Sequence, residues 1–188
     1  MSETRDWSLP RVDEWSSLRP CLHDGVIREI SYEPIERTLT LVIEPGFPAP
    51  PEGAPESIVV ELRAVTHLLC FVDQPWPGGP PRHRPGMSPD EWKAVQGEHR
   101  SKSIATTVSI GDFQRLCTEE TTEILEAECS KALQPFALDL QGFGSAYAWY
   151  RLLVSAGDVR LFVDGKPITW AGFLDLGRSG WEAWSQDG

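Results

Sequence analysis

Three runs in the first third of the chain alternate apolar with polar residues at a period of two, and no other feature limits the fold as strongly. The runs cover residues 26–32, 38–43 and 58–64. Successive side chains of a β-strand point to opposite faces, so these runs predict antiparallel strands with one face in the core and the other in water. Residues 33–37 would join the first two strands as a hairpin.

Strand patterns return in the last third of the chain. Residues 147–154 and 159–163 predict two strands, which residues 155–158 would join as a hairpin loop. Asp164 followed by glycine is the signal of a type I′ turn, so a further short strand is expected to begin at Lys166.

The middle of the chain is less clear. Residues 103–117 open with alternating β-branched residues, as a strand would. Residues 118–133 fit two structures. Their acidic start and a lysine near their end match the dipole of a helix, whereas Leu125, Ala127 and Cys129 fit one face of a strand with glutamates on the other. We favour the strand.

One helix start is well marked. Ser88 is a favourable N-cap, Pro89 suits the first helical position, and Glu91 completes a capping box. These residues predict a short helix near 89–97 that Gly97 ends. Together with the strands, this predicts an α+β domain that is mainly antiparallel β-sheet, a sandwich or a curved sheet, with one or two short helices.

The chain length and the positions of the proline- and glycine-rich segments predict a single domain. A chain of 188 residues suits one domain over 1–188. Within it, residues 1–20 are expected to form an N-terminal arm and residues 74–87 a loop rich in proline and glycine. The C-terminal segment carries three tryptophans and is expected to dock on the domain, because exposing them would be unfavourable.

The net charge of −11 bears on possible partners. Both halves of the chain are acidic, so a nucleic-acid-binding face is not expected, and a basic protein partner would suit the charge. The apolar stretch 64–72 is far shorter than the ~20 residues of a membrane-spanning helix, and the N-terminus has no secretory signal pattern. We therefore expect a cytoplasmic protein without a membrane partner. Self-assembly into a homo-oligomer is compatible with the sequence.

The cysteine spacing argues for structural thiols. Cys21, Cys70, Cys117 and Cys129 are scattered, and none forms a C-x-x-C pair. Such residues are expected as buried, free thiols. No metal site and no cofactor are predicted.

His23 and Asp24 are the most suggestive pair for chemistry. A histidine beside a carboxylate could act as a general base with its orienting partner. On an extended chain, however, adjacent side chains point to opposite faces, so the two are not expected to pair. We therefore predict no catalytic residue and keep both only as binding candidates.

Tryptophan is abundant, with eight copies. Trp76 lies in the proline-rich loop, and Trp181 and Trp184 lie near the C-terminus. Exposed tryptophans can stack on sugar rings or anchor a protein interface. With His23 and Asp24, these three complete the predicted binding residues.

The opening strands also resemble a known group of proteins. His23 and Asp24 precede the first strand, a hairpin and a third strand follow, and Val65 and Leu68 stand in a V-x-x-L pattern. Residues 21–68 resemble the start of several small bacterial families that are uncharacterised or classed as immunity proteins of polymorphic toxin systems. The resemblance implies a non-catalytic protein that works by binding, and it carries over no site residues.

These observations favour a non-catalytic protein-binding module, immunity-like, that acts on a basic protein partner. A domain that binds a small ligand or carbohydrate through exposed tryptophans is the first alternative. An enzyme built on His23 and Asp24 is the second.

Overall fold

The fold is described from a computed structural model over residues 14–46, 55–73, 84, 86–102, 105–119, 121–144 and 149–186. Of the predicted arm, residues 1–13 lie outside this part. Residues 14–20 contain the first strand and the start of the first helix. Most of the predicted loop 74–87 also lies outside the described residues.

Within the described residues, eleven strands and four helices follow one another along the chain. The strands are β1 (Trp15–Ser17), β2 (Val26–Glu33), β3 (Thr38–Glu44), β4 (Ile58–Arg63), β5 (His67–Asp73), β6 (Ala105–Val108), β7 (Thr122–Ser130), β8 (Phe136–Gly144), β9 (Tyr150–Ala156), β10 (Asp158–Val163) and β11 (Lys166–Ile168). The helices are α1 (Arg19–Leu22), α2 (Pro89–Lys102), α3 (Ile110–Glu119) and α4 (Trp170–Gln186).

The α+β class is confirmed. All ladders are antiparallel and join the strands into one curved sheet. The β2–β3 hairpin lies as predicted, and residues 118–133 do contain a strand, β7. The turn after β10 has positive φ at both Asp164 (49°) and Gly165 (74°), as a type I′ turn requires.

The predicted hairpin of β9 and β10 is wrong, because these strands do not pair with each other. They are one long strand that bends at Gly157, and it pairs along its whole length with a second bent strand made of β4 and β5. At the bend, the amide of Gly157 donates to the carbonyl of Arg63 at 2.9 Å, and the amide of Thr66 donates to the carbonyl of Ser155 at 2.8 Å. Three residues on one strand face two on the other, which makes the corner a β-bulge.

This corner closes the sheet into a ring. One side of the corner continues through β4, β3 and β2, and the other continues through β9, β8 and β7. β7 then pairs with β2 through Val26 and Ile27. The core lies inside the ring, where the inward side chains of β3, β4, β7, β8 and β9 are buried.

Helix α3 covers the side of the ring where β2 and β7 separate. Its side chains Phe113 and Cys117 are buried in the core, and Phe113 packs on Tyr150 with the ring centroids 5.5 Å apart. Gln114 also donates from Nε2 to the carbonyl of Ile30 on β2 at 3.1 Å. This helix is not predicted from the sequence, because the β-branched residues that precede it indicate a strand, and only Ala105–Val108 form one.

The remaining helices agree with the sequence only in part. The capping box of α2 is present, because the amide of Ser88 donates to Glu91 Oε2 at 2.8 Å and the amide of Glu91 donates to Ser88 Oγ at 3.3 Å. Gly97 does not end α2, which runs to Lys102. The C-terminal segment, expected only to dock, is the 17-residue helix α4. Among the described residues, no helix is both long and apolar enough to cross a membrane.

A second β-bulge shapes the β7–β8 ladder. The register shifts between Ile124 and Glu126, so Ile124, rather than the expected Leu125, is the buried residue. The bulge brings the carbonyl of Glu123 against Gly142 on β8, where any Cβ would overlap the carbonyl oxygen and lie 2.8 Å from Tyr150 Cε1. Only glycine fits there without a backbone shift.

We predict that Gly142→Ala lowers the free energy of unfolding by about 3 kcal/mol, because the added methyl group overlaps backbone that cannot move aside. The matched control is Gly111→Ala in α3, where the nearest atom to an added Cβ is Ser109 Oγ at 3.9 Å. That control should be neutral or stabilising by up to about 1 kcal/mol. Urea unfolding followed by circular dichroism measures both, and equal effects of the two variants would contradict this account.

Candidate functional site

Helix α4 docks on α1 through glycine. Gly177 is buried, and a Cβ there would lie 2.5 Å from Cys21 Sγ and 2.8 Å from the carbonyl carbon of Pro20. Trp181, one turn further along α4, donates from its indole nitrogen to the carbonyl of Pro20 at 3.0 Å. The last turn of α1 is therefore held by both the backbone contact and the indole of α4.

His23 and Asp24 follow α1 and contact each other, which corrects the expectation that they would not. His23 Nδ1 lies 2.7 Å from Asp24 Oδ1. Asp24 has a left-handed φ of 59°, so the chain is not extended here and the neighbouring side chains can meet. The two atoms are close, but they do not meet the criteria of a hydrogen bond.

Arg19 extends this pair by one step. Its Nη2 lies 3.1 Å from His23 Nε2. A guanidinium only donates, so His23 Nε2 is the acceptor in this contact. Trp181 contacts the same imidazole edge to face, with the centroids 5.9 Å apart. The histidine side chain is only 16% exposed, and its Nε2 is occupied by Arg19 rather than free to take a proton from a substrate.

A groove lies beside this cluster, and we call it the α1–α4 groove. It has a volume of about 620 Å³, and its surface is mostly apolar. Its lining residues are Ser17, Arg19, Pro20, Arg178, Trp181 and Glu182. The structure thus brings together His23, Asp24 and Trp181 of the five predicted binding residues. Trp76 and the side chain of Trp184 lie outside the described part of the chain.

The outer side of β7 forms a second surface. Glu123, Glu126 and Glu128 point away from the core, while Ile124, Ala127 and Cys129 between them are buried. Glu126 and Glu128 are exposed and Glu123 is half-buried. Phe143 stands opposite Glu123 in the ladder and is 39% exposed. We call Glu123, Glu126, Glu128 and Phe143 the glutamate face.

A buried ion pair adjoins the glutamate face. Asp139 stands opposite Glu128 across the β7–β8 ladder and is almost fully buried. Arg151 on β9 binds both its carboxylate oxygens, with Nη2 2.6 Å from Oδ2 and Nε 3.0 Å from Oδ1. The hydrogen bonds to Asp139 raise the pKa of Arg151. This arginine neutralises Asp139, and it also interacts electrostatically with Glu128.

Arg19, Arg178 and the glutamate face are not among the residues that the sequence indicates as candidates. The alternation in residues 123–128 was visible, and it predicted only which side of a strand faces water. Arg19 is four residues before His23, but this spacing has meaning only once residues 19–22 form a helical turn.

The cysteines are buried, as predicted, and they form no disulfide. Burial raises the pKa of Cys21 to about 11 and those of Cys70 and Cys129 to about 12. Among the described residues, no group of three or more potential ligands could hold a metal ion.

Comparisons of the chain with protein-family models, curated proteins and solved structures find no match. The resemblance of residues 21–68 to immunity-type families therefore stays a prediction, and the function has to be argued from these two surfaces.

We predict that Gly177→Ala loosens the docking of α4 on α1 and lowers the free energy of unfolding by about 1–3 kcal/mol, because the added methyl group forces the two helices apart. Gly172→Ala on the same helix is the control, since its nearest contact would be Ile168 Cγ1 at 3.1 Å, which a side chain can relieve. Thermal unfolding and the indole proton signal of Trp181 report the effect. A larger loss in Gly172→Ala would refute the packing argument.

We predict that the native thiols react slowly with Ellman's reagent at pH 8. The raised pKa values of Cys21, Cys70 and Cys129 leave almost no thiolate at that pH, and only the thiolate is nucleophilic. Cys117 is protected by its burial in the core. In denaturant the cysteines regain ordinary pKa values, and all four should titrate within minutes. Rapid labelling of one cysteine in the folded protein would show that its burial is not maintained in solution.

Proposed function

We propose that this protein is a non-catalytic binding module that acts in the cytoplasm on a basic protein partner, in the manner of an immunity protein. The observation that carries the proposal is the glutamate face. Three carboxylates lie on one side of one strand, with a half-exposed phenylalanine beside them. A chain of net charge −11 adds a long-range attraction for a basic surface.

The local charges support a basic partner more than a neutral one. Glu126 and Glu128 are two residues apart on the strand, about 7 Å, whereas the carboxylate of Asp139, opposite Glu128 in the ladder, is neutralised by Arg151. The carboxylates of Glu126 and Glu128 are close enough to repel each other in the free protein. A lysine or arginine from a partner would relieve this repulsion, and that relief adds to the attraction between the two proteins.

Phe143 supplies the apolar part of such an interface. Charged residues at a rim mainly set the association rate and the specificity, whereas aromatic anchors carry more of the binding energy. An exposed aromatic ring bordered by carboxylates is thus suited to a partner segment that combines basic side chains with an apolar one.

The test compares two triple variants that change the charge equally. One carries Glu123→Gln, Glu126→Gln and Glu128→Gln. The control replaces Glu33, Glu36 and Glu56 by Gln, three exposed residues outside the glutamate face. Each tagged protein is used to capture partners from a lysate of its native cells, and the affinity for the captured protein is then measured at several salt concentrations.

We expect one basic partner to bind the unchanged protein and the control alike. Its affinity for the glutamate-face variant should fall at least about tenfold, mostly through a slower association rate. The affinity should also fall as salt rises. Equal binding by both triple variants, or no captured basic protein, would overturn the proposal.

A further inference from the structure

The α1–α4 groove has the dimensions of a small-molecule site. Its volume of about 620 Å³ lies within the ~300–1,000 Å³ of such sites. Pro20 and Trp181 supply apolar surface, and polar atoms make up a small part of the lining. Small-molecule sites commonly combine such an apolar lining with a few polar groups that orient the ligand.

The charges around the groove differ from those of the whole chain. Arg19 and Arg178 contribute two positive charges, and Glu182 contributes one negative charge. Arg178 Nη2 lies 3.3 Å from Asp175 Oδ1 on the same helix, so Arg19 is the guanidinium of the lining that a ligand can engage. The guanidinium of Arg19 matches the planar geometry of a carboxylate.

Arg19 is held in place before any ligand arrives. Its guanidinium donates to His23 Nε2, and His23 is in turn fixed between Asp24 and the indole of Trp181. A side chain held in one position loses less entropy when it binds a ligand. The pair of His23 and Asp24 thus has a use without catalysis, as positioning residues for Arg19.

We propose that the α1–α4 groove binds a small carboxylic acid with an aromatic or alkyl body. Arg19 takes the carboxylate, and Trp181 and Pro20 contact the apolar body. This site shares no residue with the glutamate face, so it stands whether or not the protein binds a basic partner.

The test uses phenylacetate and its neutral amide, phenylacetamide, which differ in charge and hardly in shape. Titrations of the full chain are followed by the indole signal of Trp181, identified by its loss in Trp181→Phe. Phenylacetate should shift this signal in a saturable way, and phenylacetamide should bind at least about tenfold more weakly. Equal affinity for both probes, or no shift with either, would overturn the proposal.

Variants separate the groove from a general charge effect. Arg19→Gln should weaken phenylacetate binding at least about tenfold, whereas Arg160→Gln on β10, which removes the same charge from an exposed site outside the groove, should leave it unchanged. An equal loss in both variants would contradict the assignment of Arg19.

The positioning role of His23 has its own readout. His23→Leu removes the acceptor for Arg19 and should weaken phenylacetate binding without changing the weak binding of phenylacetamide. His23→Gln keeps an acceptor and should restore part of the affinity for phenylacetate. A loss for both probes, with no restoration by glutamine, would mean that His23 only supports the local packing.

Discussion

The pairing of two bent strands across one corner is the constraint on which the other parts of the structure depend. At Gly157 the chain passes from β9 to β10 without a loop, and its partner strand bends through residues 64–66. An added Cβ at Gly157 would lie 3.1 Å from the Cβ of Ala64, so the two backbones are close. Because hydrogen bonds continue through the bend, both halves of the sheet belong to one ring and enclose one core.

The ring leaves gaps, and short helices fill them. β2 and β7 pair over only two residues of β2, so the core would be open to water beyond that point without Phe113 and Cys117 of α3. On another side, β1 pairs with the end of β7, and α1 follows it directly. α4 then packs on α1 because Gly177 lets the two backbones approach.

The two candidate surfaces arise from these same adjustments of the backbone. The bulge in β7 keeps Glu123 on the same side as Glu126 and Glu128, although the spacing between them breaks the period of two. The close contact of α1 with α4 creates the groove at its edge and brings Trp181 against His23. Both surfaces result from common features of protein structure, a β-bulge and a close helix contact at glycine. At the β7 bulge and at the α1–α4 contact, the local backbone geometry places polar and aromatic side chains next to each other.

The sequence by itself determined β2, β3 and β4, the turn at Asp164 and the capping box at Ser88, because these depend on the nearest neighbours along the chain. It did not indicate β1 or β8. It did not determine which strands pair, and for this reason the connection at Gly157 was misread as a hairpin. The sequence also did not predict α4, because its glycines disfavour a helix in isolation. The contact with α1 explains why glycine is present at position 177. His23, Asp24 and Trp181 could be named as candidates, but their meeting with Arg19 joins residues up to 162 positions apart. Only the tertiary structure decides such contacts, since local preferences carry no information about which distant backbone will lie alongside.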